Sequence, residues 1–355
     1  MNAPLALQHE VRLADLGDKR LVERIEGFLA DQGASLFHRP AWLQAIHAGT
    51  GQRAAGFVSE RLGVITGWLP LTEVRSALFG KALVSSGFGV GGGLNAISQE
   101  AAHALIKAAQ DHAVAGGFTS LELRGGQLPE GEGWCQWDDK HCGFERALAS
   151  DDEAELLAIP RKARAEVRKG LKGDLTVRIG REASDLRAHY RVYSESVRNL
   201  GTPVFPAKLF RAALEAFPEH SDILTVFNKG EPTSSVLNFY HRGTVLPYWG
   251  GGTFAARAAR ANERMYYELM LHARAKGMER FDFGRSKTGS GPYNFKKNWS
   301  FEPRPLRYAE WTAPGHIARD VDPTSKAYAR KIGLWKKLPL PLANTIGPFI
   351  ARGLA

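Results

Sequence analysis

The chain has 355 residues, 44% of them hydrophobic and 24% charged, with a formal net charge of +10. This balance suits two ordinary soluble domains and excludes a disordered chain, and two cysteines, Cys135 and Cys142, exclude a disulfide framework or a zinc set. The cationic excess favours anionic partners such as phosphates, nucleic acid or an acidic membrane surface, without choosing among them.

Residues 1–17 show no periodicity and read as a leader. They have no basic segment ahead of an apolar core, and no run of about eighteen apolar residues follows anywhere, so neither a signal peptide nor a transmembrane helix is expected. Few cysteines make a reducing, cytoplasmic setting the expectation. From Asp18 to Gln32, Leu21, Ile25, Phe28 and Leu29 share one helical face, and residues 39–48 make a second short helix with Pro40 in its first turn. Strands are predicted over 54–60, 64–74 and 82–86, ahead of the glycine-rich run from Gly87 to Gly93. Ser98 caps an alanine-rich helix to Ala115, Gly116 and Gly117 stop it, and residues 118–124 form the next strand.

The second half repeats that order. Strands over 223–228, 234–240 and 244–249 lead into Gly250, Gly251 and Gly252, a helix over about 258–276 and a strand over 279–283. Offset by 160 residues, Gly117 meets Gly277, Glu122 meets Asp282, Leu105 meets Met265 and His112 meets His272. A shared order of three strands, glycine turn, helix and strand implies two copies of one α/β unit. An acidic stretch around Ser150 sets the expected boundary: domains over 18–150 and 151–312, then a basic and apolar tail over 313–355.

Arg161, Lys162, Arg164, Arg168, Lys169 and Lys172 form the densest basic cluster. Ile159, Ala163, Val167 and Leu171 recur at four-residue steps, so one helical face is apolar and the others cationic. This is a phosphate-binding helix or a solvated surface helix. The stretch Phe281–Pro303 reads as an apolar strand carrying Asp282, a Gly/Ser/Thr loop carrying Arg285 and Lys287, and a second strand over 293–299. Strand alternation then sends only one of Lys296 and Lys297 towards a cleft. Lysines flanked by Phe295 and Trp299 suit an anionic ligand or an oxygen that turns negative during acyl transfer, unless they point to water. Asp282 is a proton acceptor or a hydrogen-bonded strand-end carboxylate. Trp249 lines a cleft or belongs to the core. The eleven histidines show no metal-binding spacing, so no metal is expected. In the tail, Leu334–Leu342 and Ile346–Ile350 place Trp and Leu beside lysines, as at an anionic membrane surface or in a segment packed across the first domain. Its prolines argue against one regular helix.

As a set, Ile159–Gly170, Gly201–Pro206, Ser234–Tyr240, Asp282–Ser286, Tyr293–Pro303 and the tail Leu334–Leu342 resemble FemAB-type acyltransferases of the GNAT-fold N-acyltransferase superfamily. The branch they resemble is the one associated with exosortase/PEP-CTERM and exopolysaccharide systems, and the resemblance covers most of residues 35–355. It implies an α/β (α+β) fold of tandem GNAT-like domains, each a mixed twisted sheet flanked by helices, with splayed strands that leave a cleft for the acyl donor. It implies that Lys296, beside Phe295, stabilises the tetrahedral intermediate, a role whose loss typically costs about 10²–10³ in rate. It implies an acyl or aminoacyl transfer to an amine on a cell-envelope or exopolysaccharide precursor. The expected partner is a phosphate-bearing substrate, a nucleotide-linked precursor or tRNA. Aminoacyl-tRNA is the expected donor and acyl-CoA the second, because Gly250–Arg260 lacks the later glycines of the CoA-binding turn. Two other readings remain: a non-catalytic module that recruits envelope machinery, and an acyl-CoA-dependent GNAT enzyme. The expected location is cytoplasmic, with peripheral contact at the inner face of the membrane through the tail.

Overall fold

The computed structural model describes residues 9–317 and 332–354. Contacts divide the chain into two compact units. One holds the chain up to Asp138 and resumes at Arg307; the other holds Asp139–Leu306 and residues 332–351.

The first unit contains α1 (Lys19–Asp31), α2 (Pro40–Thr50), α3 (Gln99–Gly116) and a mixed sheet. Its strands are β1 (Glu10–Leu13), β2 (Arg53–Arg61), β3 (Val64–Ser76), β4 (Gly80–Ser85), β5 (Asn95–Ala96), β6 (Ser120–Arg124), β7 (Trp134–Trp137) and β16 (Tyr308–Thr312). They run in the order β1-β2-β3-β4-β6-β16-β7, with β5 paired to β3. Local signals place the helices as expected. Asp18 caps α1 by accepting from Arg20 and Leu21, and its four apolar residues are buried. Ser98 caps α3, and Gly117, at φ +64°, ends it in a left-handed turn.

The second unit begins with β8 (His141–Ala147), α4 (Asp152–Ala158), α5 (Arg161–Lys172), β9 (Leu175–Gly180), α6 (Ala183–Leu200) and α7 (Ala207–Ala216). The strands β10 (Ser221–Asn228), β11 (Glu231–His241) and β12 (Thr244–Gly252) follow. Then come α8 (Ala256–Ala259), α9 (Ala261–Ala275), β13 (Arg280–Asp282), β14 (Ser286–Lys287), α10 (Gly291–Lys297) and β15 (Pro303–Pro305). The sheet order is β14-β8-β13-β12-β11-β10-β9, with β15 on β8.

The halves share a plan. In each, three antiparallel strands end in a helix that returns the chain to a parallel partner, β6 beside β4 and β13 beside β12. Each returning strand then gains an antiparallel neighbour from elsewhere in the chain, β16 for β6 and β8 for β13. This explains why the boundary differs from the expectation: residues near 150 lie inside the second unit, between β8 and α4, because β8 is needed to pair β13.

Three other expectations are corrected. The helix over 258–276 is two, since Arg260 at φ +56° breaks the ladder between α8 and α9. The tail does form a regular helix, Leu340–Ala351. Pro341 occupies a first-turn position where no donor is needed, and Pro348 is tolerated near the far end. That helix packs on α6 of the second unit, with Asn344 Nδ2 donating to Ser194 Oγ at 3.3 Å, while the chain from Arg352 belongs to the first unit, where Gln52 Nε2 donates to the Arg352 carbonyl oxygen at 2.8 Å. Residues 318–331 and 355 of the tail and 1–8 of the leader lie outside the described residues.

Candidate active site

A further correction falls on the stretch that carries the proposed chemistry. Residues 293–299 are not the second strand of a hairpin; 293–297 end α10, Asn298 is its C-cap and Trp299 lies in the turn that follows. Ser290 accepts from the Tyr293 amide and Pro292 sits in the first turn, both helix-start signals that the aromatic, strand-like composition obscured. Phe295 and Trp299, four residues apart, set their rings at a tilt of 40° with centroids 5.7 Å apart. The helical step turns Lys296 inward and leaves Lys297 exposed, its Nζ 5.7 Å from the Tyr293 ring centroid.

Lys296 is only 8% exposed. Its Nζ donates to the carbonyl oxygens of Gly284 and Arg285 at 3.0 and 3.1 Å. It lies 5.3 Å from the ring centroid of Phe144 and 5.6 Å from that of Phe283. Two carbonyl dipoles and two aromatic rings surround a cation. Burial pulls the ammonium from its ordinary 10.5 down to about 7, opposed by the Asp282 charge and assisted by the Arg285 charge.

Asp282 ends β13, and its Oδ1 accepts from the amide of Gly284 at 2.8 Å. Gly284 has φ +69°, so glycine serves the tight turn that brings its amide back to the carboxylate and its carbonyl to the lysine. Burial raises Asp282 from 3.8 to about 6, a rise that Glu145 reinforces and that the Gly284 amide and Lys296 oppose. A carboxylate poised near neutrality beside a weakened ammonium is the arrangement that lets one group take a proton while the other stabilises negative charge. An ammonium has three donors. Two are used on backbone carbonyls here, which leaves one for a substrate oxygen.

The other residues singled out in the sequence divide into two sets. Arg285 and Lys287 are half-buried in the loop around Lys296, and Arg285 contributes both a carbonyl acceptor and a like charge to it. Phe295 packs inward on Tyr266, Phe283 and Trp299, holding α10 rather than facing a ligand. Trp249 is 5% exposed and its ring meets Phe205, Phe210, Phe239 and Tyr248, so it is a core residue. Phe144, which faces the ammonium from β8, was not singled out because it lies far away in the chain.

The glycine triplet that ends β12 is shaped by packing. A Cβ at Gly250 would sit 2.8 Å from Val236 Cγ2, one at Gly251 would overlap the Ser196 side chain, and one at Gly252 would overlap Asn262. These glycines let β12 lie against its neighbours, and α8 and Arg260 stand between the turn and α9. The close neighbours of the triplet are thus the chain's own side chains. The basic helix α5 lies beside this place. A Cβ on Gly170 would come 2.8 Å from the Arg260 carbonyl oxygen, and Glu166 pairs with both Arg260 and Lys169. With Val167 and Gly170 buried, a groove on the outer surface of α5 is lined by Arg161, Arg164, Ala165, Arg168, Lys169 and Lys172. Lys162 is exposed on the same helix. Among the described residues no group of three or more His, Cys, Asp or Glu gathers in a way that would hold a metal.

Residues 160–297 match the family described as Acetyltransferase (GNAT) domain. No curated protein matches the chain in sequence. Among solved structures, FemX superposes with a TM-score of 0.64 at 14% identity, covering 84% of this chain and 96% of its own. A tandem GNAT protein from the clavulanic acid biosynthesis pathway, solved without AcCoA, gives 0.59 at 13% identity and covers 87% and 100%. The C-terminal domain of a putative lysylphosphatidylglycerol synthetase from Agrobacterium fabrum gives 0.54 at 13% identity, covering 81% and 91%. The fold is thus that of tandem GNAT-like domains, and the second unit contains the segment that matches a GNAT acetyltransferase domain.

Proposed function

We propose that the second unit is the catalytic half of a FemAB-like N-acyltransferase, with Lys296 as the electrostatic catalyst and Asp282 as the proton acceptor. The observation that carries this reading is the buried ammonium of Lys296, held by two backbone carbonyls with one donor to spare. An acceptor amine attacks the carbonyl carbon of an ester or thioester. The carbonyl oxygen takes the negative charge and receives a hydrogen bond from Lys296. Asp282 takes the proton that the amine loses and returns it to the departing alkoxide or thiolate as the carbon–oxygen or carbon–sulfur bond breaks, which frees the alcohol or thiol. An amide is left on the acceptor.

The acceptor in this reading is an amine on a phosphate-bearing cell-envelope or exopolysaccharide precursor. The cationic side chains of α5, Arg161, Lys162, Arg164, Arg168 and Lys169, meet the phosphates. Placement in the exosortase-associated branch rests on the sequence motifs alone. Aminoacyl-tRNA is the proposed donor, because the glycines at the end of β12 are occupied by packing. The match to a GNAT acetyltransferase domain favours the second reading, an acyl-CoA donor. The test supplies the full-length protein with aminoacyl-tRNA or acyl-CoA and a panel of phosphorylated amino-sugar acceptors. Turnover with one donor is expected, falling about 10²–10³-fold in Lys296→Met. Full activity in both Lys296→Met and Lys296→Ala removes the assignment.

A further inference from the structure

The helix Leu340–Ala351 contains no charged residue. One side of it is fixed. Ala343, Gly347 and Ala351 are buried, and a Cβ on Gly347 would lie 3.0 Å from the backbone nitrogen of Val204. Small residues thus allow close approach to the segment after α6, and Arg198 of α6 donates to the carbonyl oxygens of Lys336 and Leu338 just ahead of the helix. The other side is turned to solvent. Leu342, Ile346 and Phe349, at i, i+4 and i+7, are 45%, 39% and 65% exposed, and Leu334 is 70% exposed. Between 332 and 351 there is no Asp or Glu, while Lys336 and Lys337 are exposed.

We propose that this helix docks the protein on an anionic lipid surface, lying in the interface with Leu342, Ile346 and Phe349 among the acyl chains and Lys336 and Lys337 at the headgroups. An apolar helical face with exposed lysines just ahead of it in the chain is what such a surface recognises. A second copy of the chain suits it less, because a two-fold contact through this face brings the same lysines together. The helix has 12 residues, and no helix among the described residues is long and apolar enough to cross a membrane, so it lies on the surface and does not span it. The inference is independent of the acyl-transfer site.

The test is flotation of the full-length protein with vesicles of phosphatidylcholine alone or phosphatidylcholine mixed with phosphatidylglycerol. Binding is expected to the mixed vesicles and to weaken as salt rises. Lys336→Gln/Lys337→Gln should lower partition about fivefold for each lysine removed. Ile346→Ser/Phe349→Ser, at exposed positions that leave the fold intact by circular dichroism, should abolish it. Absence of binding to mixed vesicles, or binding unchanged in the folded serine variant, overturns the proposal. So does a wild-type dimer by light scattering that the serine variant converts to monomer without any vesicle binding in either.

Discussion

Nζ of Lys296 donates to the carbonyl oxygen of Gly284 at 3.0 Å, joining a helix to a loop residue twelve positions earlier. Together with the Arg285 carbonyl, this contact stabilises a charge that its buried surroundings disfavour. The site is therefore built at a cost in stability.

Lys296→Met measures that cost. The unfolded chain keeps the lysine proton up to about 10.5, whereas the folded protein releases it at about 7. Between those values the unfolded state binds more protons, so wild-type stability rises with pH through this window. Methionine removes the penalty. At about pH 5, where Asp282 is protonated, we expect the variant to be more stable by about 1–2 kcal/mol in urea unfolding while losing turnover. A variant that is both less stable there and fully active contradicts the assignment.

Activity should follow a narrow bell in pH. The working state has Asp282 ionised and Lys296 protonated, so the rate rises through about 6 and falls through about 7. Asp282→Asn should remove the acid limb. It should also move the alkaline limb to lower pH, because the Asp282 charge is what holds the lysine pKa up. A kcat/KM profile with both limbs unmoved in the variant assigns them to other groups.

Gly170→Ala inverts an ordinary rule. In mid-helix this exchange usually stabilises by about 0.5–1 kcal/mol. Here the new Cβ would meet the Arg260 carbonyl oxygen at 2.8 Å, backbone that cannot swing aside, so we expect a loss of about 1–3 kcal/mol in thermal or urea unfolding. The displaced α5 should also bind inorganic pyrophosphate more weakly than wild type in a low-salt titration.

Asp222 should be a stability determinant of the second unit. Its buried carboxylate accepts from Tyr240 at 2.8 Å and Asn238 at 3.0 Å, and His272 Nε2 lies 3.1 Å away. Burial pushes its pKa up, but these hydrogen bonds outweigh that and hold it below 3.8. The stabilisation is therefore complete above the unfolded value and lost as pH falls below it. Asp222→Ala should cost about 3 kcal/mol at neutral pH and flatten the acid end of the stability curve. Chemical denaturation between pH 3 and 7 reads both effects.

The histidines of the repeat gain a meaning from this contact. His112 and His272 align at an offset of 160 in sequence, where they have no visible purpose. In the fold each reaches a buried carboxylate, Glu73 on β3 at 3.0 Å and Asp222 on β10 at 3.1 Å, and so ties its helix to its sheet. The alignment was legible; the partners were not, because they sit on different strands of the two halves.

By itself, the order of residues determined the elements whose signals are local. Asp18, Ser98 and the apolar spacing of α1, α3 and α5 are read one turn at a time, and the twofold recurrence of strands, helix and strand follows from them. It also singled out Lys296 and Asp282. Only the tertiary structure decided how they meet. The aromatic composition of Tyr293–Trp299 suits a strand, and the Ser290 cap together with packing on Tyr266 and Phe283 makes it a helix. The cage around the ammonium needs Phe144 from β8 and carbonyls from a turn at Gly284, groups whose approach depends on β8 pairing with β13. Burial and proximity of that kind, which set both pKa values, are properties of the packed chain and have no local signature.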